Sequence, residues 1–554
     1  MKHWYEHAII YQIYPKSFQD SNNDGIGDIN GIIQRIPYLK SLGINTIWLN
    51  PIFVSPQVDN GYDVADYFAI DPRMGTMKDM AALIEACHHA GIRVIMDFVL
   101  NHTSDQNKWF QKAIEDPNSK YHDYYIFAGE KNQRPNNWGS FFCGSVWEPN
   151  PNGTGEFYFH LFDKHMPDLN WKNSQVRKEM LKIAEFWLEK GVDGLRLDAF
   201  IHIAKADLRQ NYPIANYLNK VDKTVIAEPF FANLPQVQEW LRPFCEQIKK
   251  DYPEALLLGE AASANVNLAA DYTMKENHLL DNVVTFRYFE DDQSKIDLSL
   301  PPEYQPKNLN WSAFKQNQII WQQTLAEVSL PILYWSNHDM PRLATKVAKT
   351  EVQARSLAIL MYLQRGIPLI YYGEEIGMKN LLFTKSSEFN DKKVEDFVKE
   401  AKKQGKTTEE ILNMVSVSHK MPARGVMQWT NSQNNGFSNV KPWIKGVKQN
   451  NVNVQVEETE PDSMLNFYRK LLALKKEKLF QSGNIYVLPT DSNSYVYRRD
   501  LDNISAIVAV SLSNNKEKIE IPHGYKNVML SAGKYHINND QLILMPYSGI
   551  VLSR

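Results

Sequence analysis

The segment Met77-Lys-Asp-Met-Ala-Ala-Leu-Ile-Glu-Ala-Cys-His-His-Ala90 is followed closely by Val94-Ile-Met-Asp-Phe-Val-Leu100. Apolar residues of the first part recur at helical spacing, and Gly91 marks the end of a helix. The second part is a short apolar run, typical of a buried strand. A similar run, Thr46–Leu49, lies before the helix. The order strand, helix, strand predicts a parallel α/β fold.

The same alternation continues along the chain and gives eight candidate strands, which predicts a (β/α)₈ TIM barrel. The strands are Ala8–Tyr14, Thr46–Leu49, Val94–Leu100, Gly194–Asp198, Ala255–Gly259, Val283–Arg287, Ile332–Ser336 and Pro368–Tyr372.

Irregular spacing between these strands predicts additional domains. Residues 103–171 are rich in Asn, Pro, Gly and aromatic residues and are interpreted as a subdomain inserted after strand three. Residues 379–450 form an insertion after strand eight, with a charged helix over Val394–Met414. The barrel then comprises residues 1–102 and 172–478. Short β-like segments separated by turn residues predict a C-terminal antiparallel β-sandwich over 479–554. The segments are Ile485–Val487, Ser494–Arg498, Ser505–Val510, Lys518–Ile521, Val528–Ser531 and Gln541–Leu544.

Composition excludes several classes of protein. The chain of 554 residues has 61 Lys and Arg against 64 Asp and Glu, so its net charge of −3 gives no reason to expect a nucleic-acid or membrane partner. Its three cysteines form no disulfide framework. The N-terminus has no leader-like segment, and no apolar run reaches the roughly 18 residues of a membrane span. We expect a cytoplasmic protein, either a monomer or a weak dimer.

Polar residues follow four of the predicted strands. Strand three ends Asp97-Phe-Val-Leu-Asn-His102, strand four carries Arg196-Leu-Asp198, strand five ends Gly259-Glu260, and strand seven ends Asn337-His-Asp339. In a (β/α)₈ barrel these ends meet on one face, where the active site lies. A pair of carboxylates on that face is what glycoside hydrolysis requires, one to attack and one to protonate the leaving oxygen.

With these motifs in this order, the chain resembles the α-amylase superfamily of glycoside hydrolases, in its oligo-1,6-glucosidase and α-glucosidase branch. The resemblance covers essentially the whole chain. It implies that Asp198 is the nucleophile, that Glu260 is the general acid and base, and that Asp339 holds sugar hydroxyls. We therefore expect retention, with the Asp198 and Glu260 carboxyls roughly 5–5.5 Å apart.

The resemblance also implies a set of substrate-binding residues. Arg196 would keep Asp198 ionised, Asp59 and Tyr62 would close the pocket around a terminal glucose and make the enzyme exo-acting, and Ala199 would border the leaving sugar. The remaining members are His102, His338 and Arg424.

Residues 20–28 alternate oxygen-bearing side chains, as an EF-hand loop does, but the twelfth position is Gly31 and a true EF-hand fails. Relatives bind a structural Ca²⁺ here, and the matching ligands would be Asp20, Asn22, Asp24, the Ile26 carbonyl and Asp28. No organic cofactor is expected.

The exact substrate stays open. Ala199 takes the place of a Val that is usual in relatives preferring α-1,6 bonds, so a small α-1,4-linked oligosaccharide is favoured. Oligo-1,6-glucosidase, dextran glucosidase and trehalose-6-phosphate hydrolase activities are the alternatives.

Two departures from the family pattern, Met166 and Lys420, put recognition of the terminal glucose in question. A non-catalytic transporter heavy chain is a remote alternative, because such chains lack the carboxylates.

Overall fold

The structure is a computed structural model that describes residues 3–131, 133–213, 223–301 and 303–554. It confirms the (β/α)₈ barrel. The barrel strands are β1 (Ile10–Ile13), β2 (Thr46–Leu49), β3 (Arg93–Val99), β4 (Gly194–Asp198), β5 (Leu256–Glu260), β6 (Asn282–Val284), β7 (Ile332–Leu333) and β8 (Ile367–Tyr371).

All neighbouring barrel strands are parallel, in the order β6-β5-β4-β3-β2-β1-β8-β7. The two end strands are joined by side chains instead of a ladder. The Asn282 amide donates to the Leu330 carbonyl at 2.8 Å, and the Tyr334 hydroxyl donates to the Thr285 carbonyl at 2.6 Å. The predictions for strands six and seven, Val283–Arg287 and Ile332–Ser336, extend too far. Their last three residues lie in the loops that follow the strands at the carboxyl face.

Helices surround the barrel and bury their apolar faces against it. The predicted helix is present as Met77–His89, with Thr76 and Asp79 forming a capping box. Its buried residues are Met80, Leu83, Ile84 and Cys87, which recur every three or four positions. The other principal helices of the barrel are Ile29–Gln34, Ile36–Leu42, Ser174–Glu189, Pro235–Asp251, Val266–Thr273, Trp311–Thr324, Glu351–Tyr362 and Met464–Lys475.

The segment inserted after β3 contains the helix Lys108–Glu115 and a small antiparallel sheet of Phe127–Ala128, Trp147–Pro149 and Phe157–Phe159. A buried ion pair fastens it to the barrel. The Lys205 ammonium, after β4, lies 2.8 Å from the Asp168 carboxylate and donates to the Asn101 amide oxygen at 3.1 Å. The Asn101 amide donates to Asp168 at 2.9 Å. The insertion is therefore held directly beside the carboxyl ends of β3 and β4.

The segment after β8 forms two helices, Lys392–Lys403 and Thr408–Ser418, where the sequence predicted a single one. Gly405, with φ of +80°, lies in the turn between them. The Lys393 ammonium donates to the Phe141 carbonyl of the subdomain inserted after β3. The two insertions thus meet above the carboxyl face of the barrel.

The C-terminal antiparallel domain is confirmed as two sheets. One has the order Asn484–Leu488, Ser494–Leu501, Ile504–Ser511, Gly549–Ser553, Asn527–Ala532, and the other Glu517–Glu520, Gln541–Leu544, Tyr535–Asn538. The sequence analysis missed Tyr535–Asn538 and Gly549–Ser553. Arg499 and Tyr497 donate to the Leu363 and Leu360 carbonyls at 2.6 and 3.0 Å, which joins this domain to the barrel.

Among the described residues, no helix combines the length and the apolar composition needed to cross a membrane.

Candidate active site

The four predicted motifs converge on one cavity at the carboxyl ends of the strands, with a volume of about 590 Å³. A cavity of this size is typical of a small-molecule site. Its described lining residues are Asp59, Tyr62, His102, Phe141, Phe142, Phe162, Met166, Asp198, Ala199, Ile201, His202, Glu228, Glu260, Ala262, Ser263, Phe286, Arg287, Phe289, Glu290, Asp339 and Lys420.

The Arg196 guanidinium lies beneath the floor of this cavity and joins three carboxylates. Its Nη1 is 2.8 Å from Asp97 Oδ1 and also contacts Asp198 Oδ1, while its Nη2 is 3.0 Å from Glu260 Oε1. Arg196 is almost completely buried, at 2 % exposure. Strands β3, β4 and β5 are adjacent in the sheet, and Asp97 is the register partner of Arg196, so strand order and register together bring these four side chains into contact.

One cation does not balance three carboxylates, of which Asp97 and Asp198 are buried and Glu260 is partly buried. Burial raises the pKa of Asp198 well above its usual range, and repulsion from Glu260 and Asp97 adds to the rise, although Arg196 opposes it. Burial likewise raises the pKa of Asp97. Asp97 and Asp198 therefore retain a proton to a higher pH than isolated carboxyls do. Arg196 opposes this rise, and its role in keeping Asp198 ionised stays a prediction.

The residue after Asp198 has an unusual backbone. Ala199 has φ of +50° and ψ of +22°, the left-handed region that residues with a Cβ seldom adopt. In this conformation its N–H donates to Glu260 Oε2 at 3.1 Å. Glu260 is therefore held by Arg196 on one oxygen and by the main chain on the other. The local backbone fixes the second carboxylate relative to the first.

Asp339 has a very different electrostatic environment. Its carboxylate lies 3.0 Å from His338 Nε2, 3.1 Å from Lys420 Nζ and 3.2 Å from Arg424 Nη2. Burial alone would raise the pKa of Asp339, but His338, Lys420 and Arg424 together hold it well below the usual range. Asp339 is thus an anion at neutral pH, ready to accept hydrogen bonds.

A hydrogen-bonded chain connects the two carboxylate groups. Tyr62 lies with its ring stacked on His338, and its hydroxyl bonds His338 Nε2 at 2.5 Å and donates to Asp97 Oδ2 at 2.9 Å. Gln12 from β1 reaches His338 Nδ1 at 2.8 Å, and the Asn50 amide donates to the Tyr62 hydroxyl at 2.8 Å. Side chains from β1, β3 and the loops after β2 and β7 therefore form one hydrogen-bonded network at the floor of the cavity.

The structure separates the predicted binding residues into two layers. Asp59, Tyr62, His102 and Ala199 line the cavity. By contrast, Arg196, His338 and Arg424 are nearly fully buried and support the lining from below. Burial lowers the pKa of His102, so its ring is neutral at pH 7.

Sequence reasoning missed most of the cavity wall. Phe141, Phe142 and Phe162 come from the subdomain inserted after β3, and Phe286 and Phe289 come from the loop after β6. The only signal for them was the high aromatic content. Lys420, predicted only as a departure from the family pattern, lines the cavity and bonds Asp339 directly. Met166, the other departure, also lines it.

The predicted metal loop lies away from this cavity, between β1 and the helix Ile29–Gln34. Its side chains form successive Asx turns, in which Asp20, Asn22 and Asp24 accept from the N–H groups of Asn22, Asp24 and Ile26 at 2.8–3.1 Å. Asp28 caps the following helix. In the part of the chain that is described, no three His, Cys, Asp or Glu residues group as a ready metal site. The loop does bring together only oxygen donors, which suits a hard cation such as Ca²⁺.

Comparison with known proteins finds relatives over most or all of the chain. Residues 12–483 match the model of the alpha-amylase catalytic domain. The oligo-1,6-glucosidase of Bacillus cereus is 33 % identical over 564 residues, covering 99 % of both chains. The trehalose-6-phosphate hydrolase of Escherichia coli is 35 % identical over 522 residues, covering 93 % of this chain and 91 % of that protein. A solved structure described as a family GH13_31 enzyme is 65 % identical, covers both chains completely and has a TM-score of 0.92.

A barrel whose carboxyl face presents these carboxylates, with relatives along its full length, defines a glycoside hydrolase. The chain belongs to the α-amylase family, glycoside hydrolase family 13.

The crowded carboxylates lead to a prediction about stability. A carboxyl whose pKa rises on folding stabilises the fold below the pKa it has in the unfolded chain, and this contribution is lost as the pH rises through the folded-state pKa. Asp198→Asn removes the charge at constant shape. It should increase the free energy of unfolding at pH 7 by about 1–2 kcal/mol, and the gain should vanish near pH 4, about the pKa of a free Asp.

Urea unfolding of both proteins at the two pH values measures this difference. Asp271→Asn, at an exposed position on the helix Val266–Thr273, is the control and should change little. A loss of stability in the Asp198 variant at pH 7 would show that pairing with Arg196 outweighs the crowding.

Proposed function

We propose that this enzyme is a retaining, exo-acting α-glucosidase that releases glucose from the non-reducing end of short α-1,4-linked oligosaccharides. The observation that carries the proposal is the placement of Asp198 and Glu260 on two nitrogens of one buried guanidinium, at the wall of a single cavity. This arrangement favours two carboxyl groups at the close separation that retention needs.

In the first step, an Asp198 carboxylate oxygen attacks the anomeric carbon of the terminal glucose. The bond from that carbon to the glycosidic oxygen breaks, and Glu260 transfers its proton to the departing oxygen. In the second step, Glu260 takes a proton from water, the water oxygen bonds to the anomeric carbon, and the ester bond to Asp198 breaks. The first step requires Asp198 as the anion that attacks and Glu260 as the acid that holds the transferred proton when substrate is bound.

Asp339 supports this chemistry as a permanent anion. Three cationic or hydrogen-bonding neighbours keep its carboxylate charged, and it lies on the cavity wall beside Lys420. We assign it to binding hydroxyls of the sugar that is being cleaved. Asp59 and Tyr62 line the same cavity, and their position supports a pocket that accepts a chain end.

Ala199 is the residue on which the proposed linkage rests. It lines the cavity directly after the nucleophile, so its small side chain leaves room beside the scissile bond. An α-1,6 preference is the second candidate, because the named relatives include several oligo-1,6-glucosidases. A phosphosugar is disfavoured by charge. The described lining carries six carboxylates and only two permanent cations, Arg287 and Lys420. The excess of negative charge would repel a phosphate.

The catalytic roles are tested with two isosteric variants. Asp198→Asn should reduce kcat on maltose by about 10⁴-fold or more, because the covalent step is lost. Glu260→Gln should reduce kcat/KM on maltose by about 10²–10⁴-fold, and far less on 4-nitrophenyl α-glucoside, whose leaving group needs no proton. The exposed Glu276→Gln serves as the control. Equal losses of Glu260→Gln on both substrates would refute the acid role.

The linkage is tested by glucose release from maltose, isomaltose, trehalose, trehalose 6-phosphate and sucrose, with Ala199→Val as the variant. Maltose should be the best substrate of the native enzyme. The added methyl groups should shift the ratio of kcat/KM for isomaltose over maltose upward by about tenfold. Since a β-branched residue resists positive φ, Ala199→Gly is the matched control for backbone effects. An unchanged ratio would assign linkage selection to the aromatic loops.

We further propose that the loop 20–28 binds a structural Ca²⁺ through Asp20, Asn22, Asp24, the Ile26 carbonyl and Asp28. Millimolar Ca²⁺, at about 1,000 times a micromolar Kd, should raise the Tm of the chelator-treated protein by about 4 °C, which corresponds to roughly 4 kcal/mol of binding linkage in a chain of this length. Asp24→Asn, an exposed position, should abolish the shift, whereas Glu115→Gln should keep it. A Tm that is insensitive to both Ca²⁺ and chelator would refute the proposed Ca²⁺ site.

A further inference from the structure

A second cavity, of about 550 Å³, lies where the subdomain inserted after β3 meets the helix Pro235–Asp251 and the loop after β4. None of its described lining residues lines the catalytic cavity. Lys205, whose ammonium is paired with Asp168, is one of its lining residues. The space is therefore a separate feature of the surface and not an extension of the active site.

The charges around this second cavity are balanced. Its described lining has three carboxylates, Asp123, Glu156 and Asp207, and three permanent cations, Lys172, Lys205 and Arg209. Asp207 and Arg209 neutralise each other in a bidentate pair at 2.9–3.0 Å. The catalytic cavity, by contrast, is strongly acidic. A balanced lining gives no net attraction to an anion or a cation and suits a neutral ligand that carries many hydroxyl groups.

Aromatic surface is available beside these polar groups. Trp240 is only partly buried, and within the described chain its indole N–H has no hydrogen-bond acceptor. Phe127 also lines the cavity, but its ring already stacks on His122 and Phe110, at centroid distances of 4.0 and 6.5 Å, so the aromatic face that is left for a ligand is that of Trp240. The face of a pyranose ring carries C–H groups that pack on aromatic rings, while its hydroxyls bond to the rim. Asp123 and Lys172, which have no ion-pair partner among the described residues, provide such a rim.

We propose that this second cavity is a carbohydrate-binding site for a neutral oligosaccharide, with Trp240 as the stacking surface and Asp123 and Lys172 as hydroxyl partners. The ligand class follows from the lining of this cavity and coincides with the proposed substrate. Binding here would hold a sugar chain on the enzyme without hydrolysing it, because no carboxylate pair on a shared arginine is present among the described lining residues.

The test uses the full-length Asp198→Asn protein, which should bind sugars without turnover. Calorimetric titration with maltose, and separately with isomaltose, should show two sites in this background. Adding Trp240→Leu should leave one site, and adding Trp240→Phe, which keeps an aromatic face, should retain two. Asp123→Ala, at an exposed position that carries no packing role, should weaken the second site about tenfold even if the tryptophan variant folds poorly.

A crystal structure of the Asp198→Asn protein with maltose identifies which cavity is filled. Sugar beside Trp240 supports the proposal. One site throughout, with sugar only in the catalytic cavity, overturns it and leaves the proposed function intact. Sugar beside Trp240 but none at Asp198 would support the second site and count against the proposed function instead.

Discussion

The site depends on one buried guanidinium that is shared among three carboxylates. Arg196 supplies the positive charge without which Asp97, Asp198 and Glu260 could not lie together away from water. It does not fully neutralise them, and burial together with the remaining repulsion raises the pKa of Asp97 and Asp198. Shifted pKa values of this kind are typical of catalytic sites. A structure optimised only for stability would have no reason to assemble these four groups. Their juxtaposition therefore indicates chemistry more clearly than any one of them does.

The surrounding fold supplies the hydrogen-bond and ion-pair partners that hold this arrangement. β3, β4 and β5 deliver the carboxylates, the left-handed turn at Ala199 delivers a backbone N–H, and Tyr62 and His338 connect the cluster to Asp339. The electrostatic contrast between the two halves is pronounced. Burial raises the pKa of both carboxyls. Neighbouring carboxylates add to the rise at Asp198, whereas cationic and hydrogen-bonding neighbours reverse it at Asp339, so two residues of the same type acquire different pKa values and different roles.

The barrel and the catalytic residues could be predicted because both leave local signals. Thr46–Leu49 and Gly194–Asp198 were predicted with their observed limits, since a buried parallel strand is a continuous apolar run. The polar residues that end these strands then identify the active face. The predicted limits of the inserted and C-terminal domains stay predictions, although the structure contains elements of the expected kinds in both regions.

The cavity wall could not be predicted in the same way. Phe141 and Phe286 are far apart in sequence, and nothing in their neighbours indicates that they share a cavity. The two-layer arrangement, with Arg424 beneath the surface and Lys420 on it, depends on side-chain burial that a motif does not encode. Strand Gly549–Ser553 was missed because its partners, Ile504–Ser511 and Asn527–Ala532, are set by non-local pairing.

The ion pair between Lys205 and Asp168 has a consequence for the conditions under which the enzyme keeps its shape. Both side chains are almost completely shielded from solvent, at 4 % and 0 % exposure. Dissolved ions screen charges only where they can approach them. An exposed pair such as Lys403 with Glu400, on the helix Lys392–Lys403, therefore weakens at high salt concentration. The attachment of the substrate-facing subdomain does not share that weakness. The position of the subdomain inserted after β3 should therefore depend little on ionic strength, even though the ion pairs of the outer surface do.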